Sequence, residues 1–300
     1  MEKIDKNTIA TDYGEYHVYI NRVNAAKPFT IFLHGGPGLN CFAERQDLGP
    51  IFHKHLNFIW FDHLGCAESK AHSSDKLGHD NQVRDIIAVT RKITDNPVDV
   101  IGHCLGAQLT HDLIRLDRNF VRRVVWYSPV LSVQGVFKRV LRRSADEGQI
   151  DLAALSTELR AAYEEILQTS DDKFGQKEVM TALQLIAQMR DFQQLYWHDK
   201  NALIRYSEHM KDRPMAVDVF VKMSTDYFER GILPIPSYEN IPVFMLHSDN
   251  DGITPWETNG AKILKSIPHA ETRLIENAYH WIHLEKPREC AEATVEFLLR

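Results

Sequence analysis

Short apolar segments alternate with amphipathic segments along the first 130 residues of the chain. Runs of apolar residues that end in glycine-rich turns predict buried strands, and apolar residues that recur every three to four positions predict helices. The predicted strands lie in HVYINRV, PFTIFL, NFIWF, VDVI and VRRVVWY. Helices are predicted at Asn81–Ile93 and directly after VDVI. This alternation predicts an α/β fold with a mostly parallel sheet and helices on both faces.

The pattern changes from about Leu131 to Glu239, where the apolar residues keep a helical spacing and no convincing strand is found. Strand patterns return in PVFMLHS and ETRLI, and ECAEATVEFLL predicts a final helix. We therefore predict a core at 1–132 and 239–300 that is interrupted by a helical cap at 133–238. Most of the large apolar cap residues should pack within the cap and a few should line a pocket; they include Leu183, Ile186, Met189, Phe192, Tyr196 and Trp197.

Composition and charge exclude several classes of protein. With 300 residues, 44% of them hydrophobic, and a net charge of −6, the chain is typical of a globular protein and has no basic stripe for nucleic acid. No apolar run approaches the roughly 18 residues of a membrane span, and the first twenty residues lack an apolar signal segment. The four cysteines show no CxxC spacing, which favours reduced thiols and a cytoplasmic location. The oligomeric state is left open.

The segment VIGHCLGA places Cys104 at the centre of a G-x-C-x-G turn between a predicted strand and a predicted helix. This context is typical of a nucleophile elbow, although a buried thiol is the alternative interpretation of Cys104. An elbow nucleophile is followed along the chain first by an acid and then by a base. After the cap, SDND offers Asp249 and Asp251 as the acid, and AYHWIH offers His280 and His283 as the base. The order favours the nucleophile.

Four segments make the chain resemble the prolyl-iminopeptidase-like branch of the α/β-hydrolases: HGGPG, FDHLGCAES, DGITP and AYHWIHLEKP. The resemblance covers both parts of the predicted core and does not extend into the cap. It selects Asp251 over Asp249 and His280 over His283, which remain alternatives for the triad.

The chain departs from the pattern of this branch at three positions. Cys104 stands where the branch has serine, and Ala67 and Tyr279 stand where glycine is usual. The resemblance therefore implies the fold and the triad, while the cysteine leaves the reaction itself open.

A Cys-His-Asp triad would work as follows. The helix dipole and a neighbouring imidazole favour the thiolate of Cys104. His280 would move the proton, and Asp251 would fix the orientation and tautomer of its ring. The N–H of Leu105 would be one oxyanion-hole donor, and Gly36 in the HGGPG turn would supply the second.

Other conspicuous residues are interpreted as structural. His34 and His103 flank tight turns, Asp62 is expected to hold its own loop, and Cys66 has no evident base. The fifteen histidines show no metal-binding spacing such as H-E-x-x-H, so we expect neither a metal nor a cofactor.

The leading hypothesis is a cofactor-independent hydrolase or acyl-transfer enzyme that acts on an ester, thioester or activated amide. Its partner would be a small-molecule acyl substrate, either free or on a carrier thiol. The first alternative is an iminopeptidase-like amidase, which needs cap carboxylates to hold a substrate ammonium; the candidates are Glu164, Glu165, Asp171 and Asp172. The second alternative is a non-catalytic ligand-binding protein on the same fold.

Overall fold

The structure is a computed structural model that describes residues 4–130, 132–170 and 173–300. A single β-sheet runs through its centre. The strands described are β1 (Asp5–Ala10), β2 (Gly14–Asn21), β3 (Phe29–Leu33), β4 (Asn57–Phe61), β5 (Lys70–Ala71), β6 (Val98–His103), β7 (Val121–Tyr127), β8 (Val243–Ser248) and β9 (Glu271–Ile275).

The strand order across the sheet is β1-β2-β4-β3-β6-β7-β8-β9, and β5 pairs with β2. All neighbours from β4 to β9 run parallel, whereas β1, β2 and β5 are antiparallel to their partners. This confirms the predicted mostly parallel sheet. The first predicted strand begins earlier than expected, and β1 was not anticipated because its side chains are mostly exposed and carry no apolar alternation.

Helices cover both faces of the sheet, and none of those described is long and apolar enough to cross a bilayer. Outside the segment between β7 and β8 they are α1 (Phe42–Asp47), α2 (Gly49–His55), α3 (His79–Arg91), α4 (Gly106–Leu116), α10 (Ala261–Ser266), α11 (Ile282–Glu285) and α12 (Pro287–Leu299). Between β7 and β8 they are α5 (Val133–Asp146), α6 (Thr157–Gln168), α7 (Gln176–Ile186), α8 (Lys200–Met210) and α9 (Val217–Glu229).

The core lies on both faces of the sheet because successive side chains of a strand point to opposite sides. Ile31 on β3 packs into the cluster that includes Leu109 of α4. Its neighbour Phe32 packs on the other face with Phe52 of α2 and Ala291 of α12. Burial of each large apolar side chain contributes about 1.5–3 kcal/mol, so the two clusters hold the edge of the sheet that carries the site in place.

The described residues between β7 and β8 form helices and contain no strand. They have a hydrophobic cluster of their own, which includes Phe137, Tyr163 and Leu185. Leu183, Ile186 and Met189 are partly buried and pack against this cluster. We keep the name cap for this segment; the boundaries at 133 and 238 stay a prediction.

Candidate active site

Cys104 lies at the turn between β6 and α4, in the left-handed region of backbone conformation, with φ of +52°. A side chain at positive φ is strained by about 1–3 kcal/mol, and the surrounding structure must hold it there. The Cys104 N–H donates to the Tyr127 carbonyl at 3.0 Å, and its carbonyl accepts from the Val130 N–H at 3.0 Å. Both bonds tie the turn to the end of β7. The strained turn leaves the thiol partly exposed.

The glycines on either side of the turn are required by close backbone contacts. A Cβ on Gly106 would lie 2.2 Å from the Leu33 carbonyl oxygen, and a Cβ on Gly102 would lie 2.8 Å from the backbone of Gly106. Helix α4 can therefore start directly against β3 and β6 only with glycine at these two positions. The same close packing brings the N-terminus of α4, which has a partial positive charge, next to Cys104.

Asp251 and His280 form a buried pair at the ends of two other loops. His280 Nδ1 lies 2.9 Å from Asp251 Oδ2, and the two side chains are 1% and 0% exposed. Asp251 also accepts from the N–H groups of Ile253 and Thr254 at 2.8 and 2.9 Å and from the Thr254 hydroxyl at 2.7 Å. In contrast, Asp249 is exposed. Of the two candidate acids, the structure thus brings Asp251 to His280.

The electrostatics of this pair favour its charged form. Burial alone favours the neutral ring, but the charges of Asp251 and of the Cys104 thiolate outweigh it and raise the pKa of His280 to about 10. Burial also opposes the ionisation of Asp251, yet His280 and the Thr254 hydroxyl hold the pKa of Asp251 well below its usual range. His280 Nε2 is buried, and hydrogen bonding to Cys104 contributes to the raised pKa of the ring, so this nitrogen is placed for a proton transfer with the thiol.

The HGGPG turn packs directly on the elbow. A Cβ on Gly35 would lie 3.0 Å from the Cβ of Cys104 and 2.5 Å from His103 Nδ1. Gly36 follows with φ of +56°, a conformation that glycine adopts without strain. The structure therefore brings the backbone of this turn against the elbow that carries Cys104 and Leu105.

The residues interpreted as structural are buried around these turns. His34 Nε2 accepts from the His63 N–H at 3.0 Å, and the two rings stack at 3.5 Å. Asp62 accepts from the Cys41 N–H at 2.8 Å, which ties its loop to the start of α1. Cys66 is buried, and burial raises the pKa of its thiol, so it stays protonated and unreactive.

His283, the alternative base, lies in a different buried cluster. Its Nε2 is 3.6 Å from a carboxylate oxygen of Glu44, and its ring centroid is 4.3 Å from that of His103. Potential ligand atoms of these three residues lie within 4.8 Å of one another, which makes them the group that could hold a metal in the described part of the chain. Burial lowers the pKa of His283 to about 3 and raises that of Glu44 to about 8, so both are neutral at pH 7.

Of two further residues at this site, Glu285 was not singled out by the sequence analysis, and Tyr196 was named only among the large apolar residues of the cap. The Tyr196 carbonyl accepts from the His280 N–H at 3.1 Å, and its ring stands perpendicular to His280 at 5.6 Å. Glu285 accepts hydrogen bonds from three backbone N–H groups, two in the cap and one directly before His280. Glu285 could have been noticed from its place in AYHWIHLEKP, whereas no local pattern indicated the contact of Tyr196.

A parallel sheet with a strained strand–turn–helix elbow, followed along the chain by a buried Asp–His pair, defines the class of α/β-hydrolase enzymes. The chain belongs to the alpha/beta hydrolase fold family, whose sequence profile matches residues 30–287.

Relatives and solved structures agree with this assignment. A protein of Haemophilus influenzae named "Putative esterase/lipase" is 22% identical over 303 residues, covering 95% of this chain and 87% of its own. A proline iminopeptidase of Heyndrickxia coagulans is 30% identical over 104 residues, 34% of this chain and 35% of its own. The fold is similar to that of a proline iminopeptidase-related protein from Thermus thermophilus, with a TM-score of 0.71, 16% identity, and 99% and 98% of the two chains covered. The protein is thus a hydrolase of the α/β fold, similar to esterases, lipases and proline iminopeptidases.

Proposed function

We propose that the protein is a cofactor-independent hydrolase or acyl-transfer enzyme that forms an acyl-enzyme on Cys104. The observation that carries this proposal is the buried His280 ring, which Asp251 holds through Nδ1 at 2.9 Å and whose pKa is raised further by the charge and hydrogen bonding of Cys104. A protonated His280 beside the sulfur favours the nucleophilic thiolate. The substrate would be a small acyl compound, either free or bound to a carrier thiol.

The reaction proceeds in two halves. The Cys104 thiol gives its proton to His280 Nε2, and its sulfur attacks the acyl carbon. The negative oxygen that develops is held by the N–H groups of Leu105 and Gly36. The leaving group takes the proton from His280 as its bond to the acyl carbon breaks, which leaves a thioester on Cys104. Water or another acceptor then loses a proton to His280 and attacks the thioester, and the thiol of Cys104 returns.

The cysteine favours esters and thioesters over peptide-type amides. Exchange between a substrate thioester and the Cys104 thioester is nearly balanced in free energy, because one thioester replaces another. Expulsion of an amine from an unactivated amide needs stronger assistance by the acid. Similarity of the core to the esterase/lipase relative over most of its length supports the same choice.

The iminopeptidase-like alternative is favoured by the HGGPG turn and by the partial match to a proline iminopeptidase. It requires acidic cap residues near the substrate ammonium. Glu164 and Glu165 are exposed on α6, and Glu165 pairs with Lys177 at 3.3 Å. Asp171 and Asp172 lie outside the described residues. We therefore rank amide hydrolysis second and a ligand-binding role without catalysis third.

A panel of aryl esters, acyl thioesters and aminoacyl arylamides tests the proposal. We expect turnover of esters or thioesters and a covalent acyl adduct on the Cys104 peptide in mass spectrometry, with neither in Cys104→Ala. Preferred turnover of arylamides would select the iminopeptidase-like alternative. Binding of panel compounds with no turnover and no adduct would select the binding protein.

A cap substitution is expected to change substrate preference. The Tyr196 ring stands perpendicular to the ring of His280 with centroids 5.6 Å apart, so its hydroxyl would donate a hydrogen bond to a bound substrate. Loss of one hydrogen bond of about 1–1.5 kcal/mol should change relative kcat/KM values across the panel by about tenfold in Tyr196→Phe. Iodoacetamide should still modify Cys104 at the wild-type rate.

The matched control is Tyr163→Phe, which lies in the separate hydrophobic cluster of the cap. It should leave the preferences unchanged. If Tyr196→Phe loses thiol reactivity together with specificity, the Tyr196 hydroxyl acts on the catalytic residues and its role is not confined to the substrate pocket.

A further inference from the structure

The carboxylate of Glu285 joins two segments that are far apart in the sequence. Its Oε2 accepts from the N–H groups of His198 and Asp199, at 2.8 and 2.6 Å. Its Oε1 accepts from the N–H of Tyr279 at 2.8 Å. The side chain is buried, with the residue only 6% exposed. The first two donors belong to the cap, and the third belongs to the residue directly before His280.

Further contacts join the same two segments on the other side of His280. The Tyr196 carbonyl accepts from the His280 N–H at 3.1 Å. Trp197 stacks on Trp281, with ring centroids 5.5 Å apart and ring planes 10° apart. We call residues 196–199 the cap strap and residues 279–285 the histidine loop. The backbone at Tyr279 and His280 and the ring of Trp281 are therefore all held by the cap strap or by Glu285.

The cap strap itself is anchored at its far end. Asp199 precedes α8, and its side chain accepts from the Asn201 N–H at 2.8 Å, which caps the helix. On α8, Arg205 donates to Asp47 at 2.9 Å and also to the Leu284 carbonyl. These contacts fix the position of the cap strap, which can therefore hold the histidine loop in place.

We propose that Glu285 is a positioning residue that holds His280 between Asp251 and Cys104 by tying the histidine loop to the cap strap. The proposal rests on the proposed function of Cys104 and His280. Catalytic groups must be held to within about 0.5 Å of their productive positions, and a displacement of 1 Å can reduce a rate by about 10²-fold.

Glu285→Gln tests this role, since an amide of the same shape replaces one accepting oxygen with an N–H₂ group that cannot accept. We expect kcat to fall about 10- to 100-fold with a smaller change in KM. We also expect slower alkylation of Cys104 by iodoacetamide at neutral pH and a changed pH profile of that rate, because a displaced ring no longer stabilises the thiolate. Glu289→Gln, an exposed glutamate one turn further along, is the matched control and should behave as wild type.

Several outcomes would overturn the role of Glu285. A folded Glu285→Gln protein with a lower melting temperature but a wild-type alkylation rate and pH profile would show that the residue only stabilises the fold. If the Glu285→Gln protein does not fold, Trp197→Phe is used instead, because it weakens the packing between the cap strap and the histidine loop. A wild-type rate of Cys104 alkylation in Trp197→Phe contradicts the proposal. The proposed function fails separately, when wild-type Cys104 reacts no faster than free cysteine.

Discussion

Iodoacetamide is expected to modify Cys104 fastest of the four cysteines and to abolish activity in proportion to the modification. The other three thiols are 3%, 0% and 0% exposed, and burial raises the pKa of each one, so they are poor nucleophiles; they are Cys41, Cys66 and Cys290. Cys104 is partly exposed and lies at a helix N-terminus beside His280. Peptide mapping at successive times, with residual activity measured on the same samples, gives the order of modification.

Cys104→Ser provides the second arm of this experiment. The serine protein should fold, because the hydroxyl is slightly smaller than the thiol, and its rate should fall by at least about 10²-fold, because a hydroxyl depends more heavily on the general base. Loss of activity with Cys104 unmodified would contradict the assignment of the nucleophile. Equal or higher activity in the serine variant would show that the cysteine itself is incidental.

Asp251→Asn should reduce kcat by about 10⁴-fold, the effect of leaving a catalytic histidine in the wrong tautomer. The NH₂ group of the amide can donate to Nδ1 of His280 and stabilise the tautomer with its proton on Nε2, and loss of the carboxylate charge lowers the pKa of that ring. Asp249→Asn is the matched control. This aspartate lies two residues away in the same loop, is exposed, and should be replaceable with little effect on rate.

The comparison requires Asp251→Asn and Asp249→Asn to be folded, which circular dichroism and thermal melting can check. The kcat of each variant is then measured on the best substrate of the panel. A larger loss in Asp249→Asn than in Asp251→Asn would move the role of the acid to Asp249. Equal and small losses in both would show that neither aspartate is needed as the acid of the triad.

The centre of the sheet could be predicted from sequence because its strands are buried on both faces and are therefore mostly apolar. Strands β4 and β6 each have every residue buried, and both stand out as apolar runs before a turn. Strand β1 has the opposite character, with an exposed pattern at the edge of the sheet, and only its backbone pairing with β2 defines it.

In the candidate site, too, some positions could be predicted from local sequence patterns and others could not. The position of Cys104 follows from a local pattern, the glycine turn, whereas the preference for His280 over His283 came from resemblance. The preference for Asp251 came from resemblance, and the structure adds the 2.9 Å contact with His280. The junction through Glu285 could not be deduced, because the two partners that join it to the cap are backbone N–H groups about 86 residues away and a backbone donor carries no residue-specific signal.

The insertion between β7 and β8 has a consequence for biosynthesis. The two strands pair in parallel, with Val124 beside Val243, yet residues 128–242 must be synthesised between them. At a rate of synthesis of roughly 5–20 residues per second, β8 is completed on the order of ten seconds after β7. During that time the edge of β7 that later pairs with β8 has unpaired backbone N–H and C=O groups. Trp126, which is fully buried in the finished sheet, has only part of its packing. We therefore expect β7 to be the segment of the nascent chain that depends most on protection by chaperones.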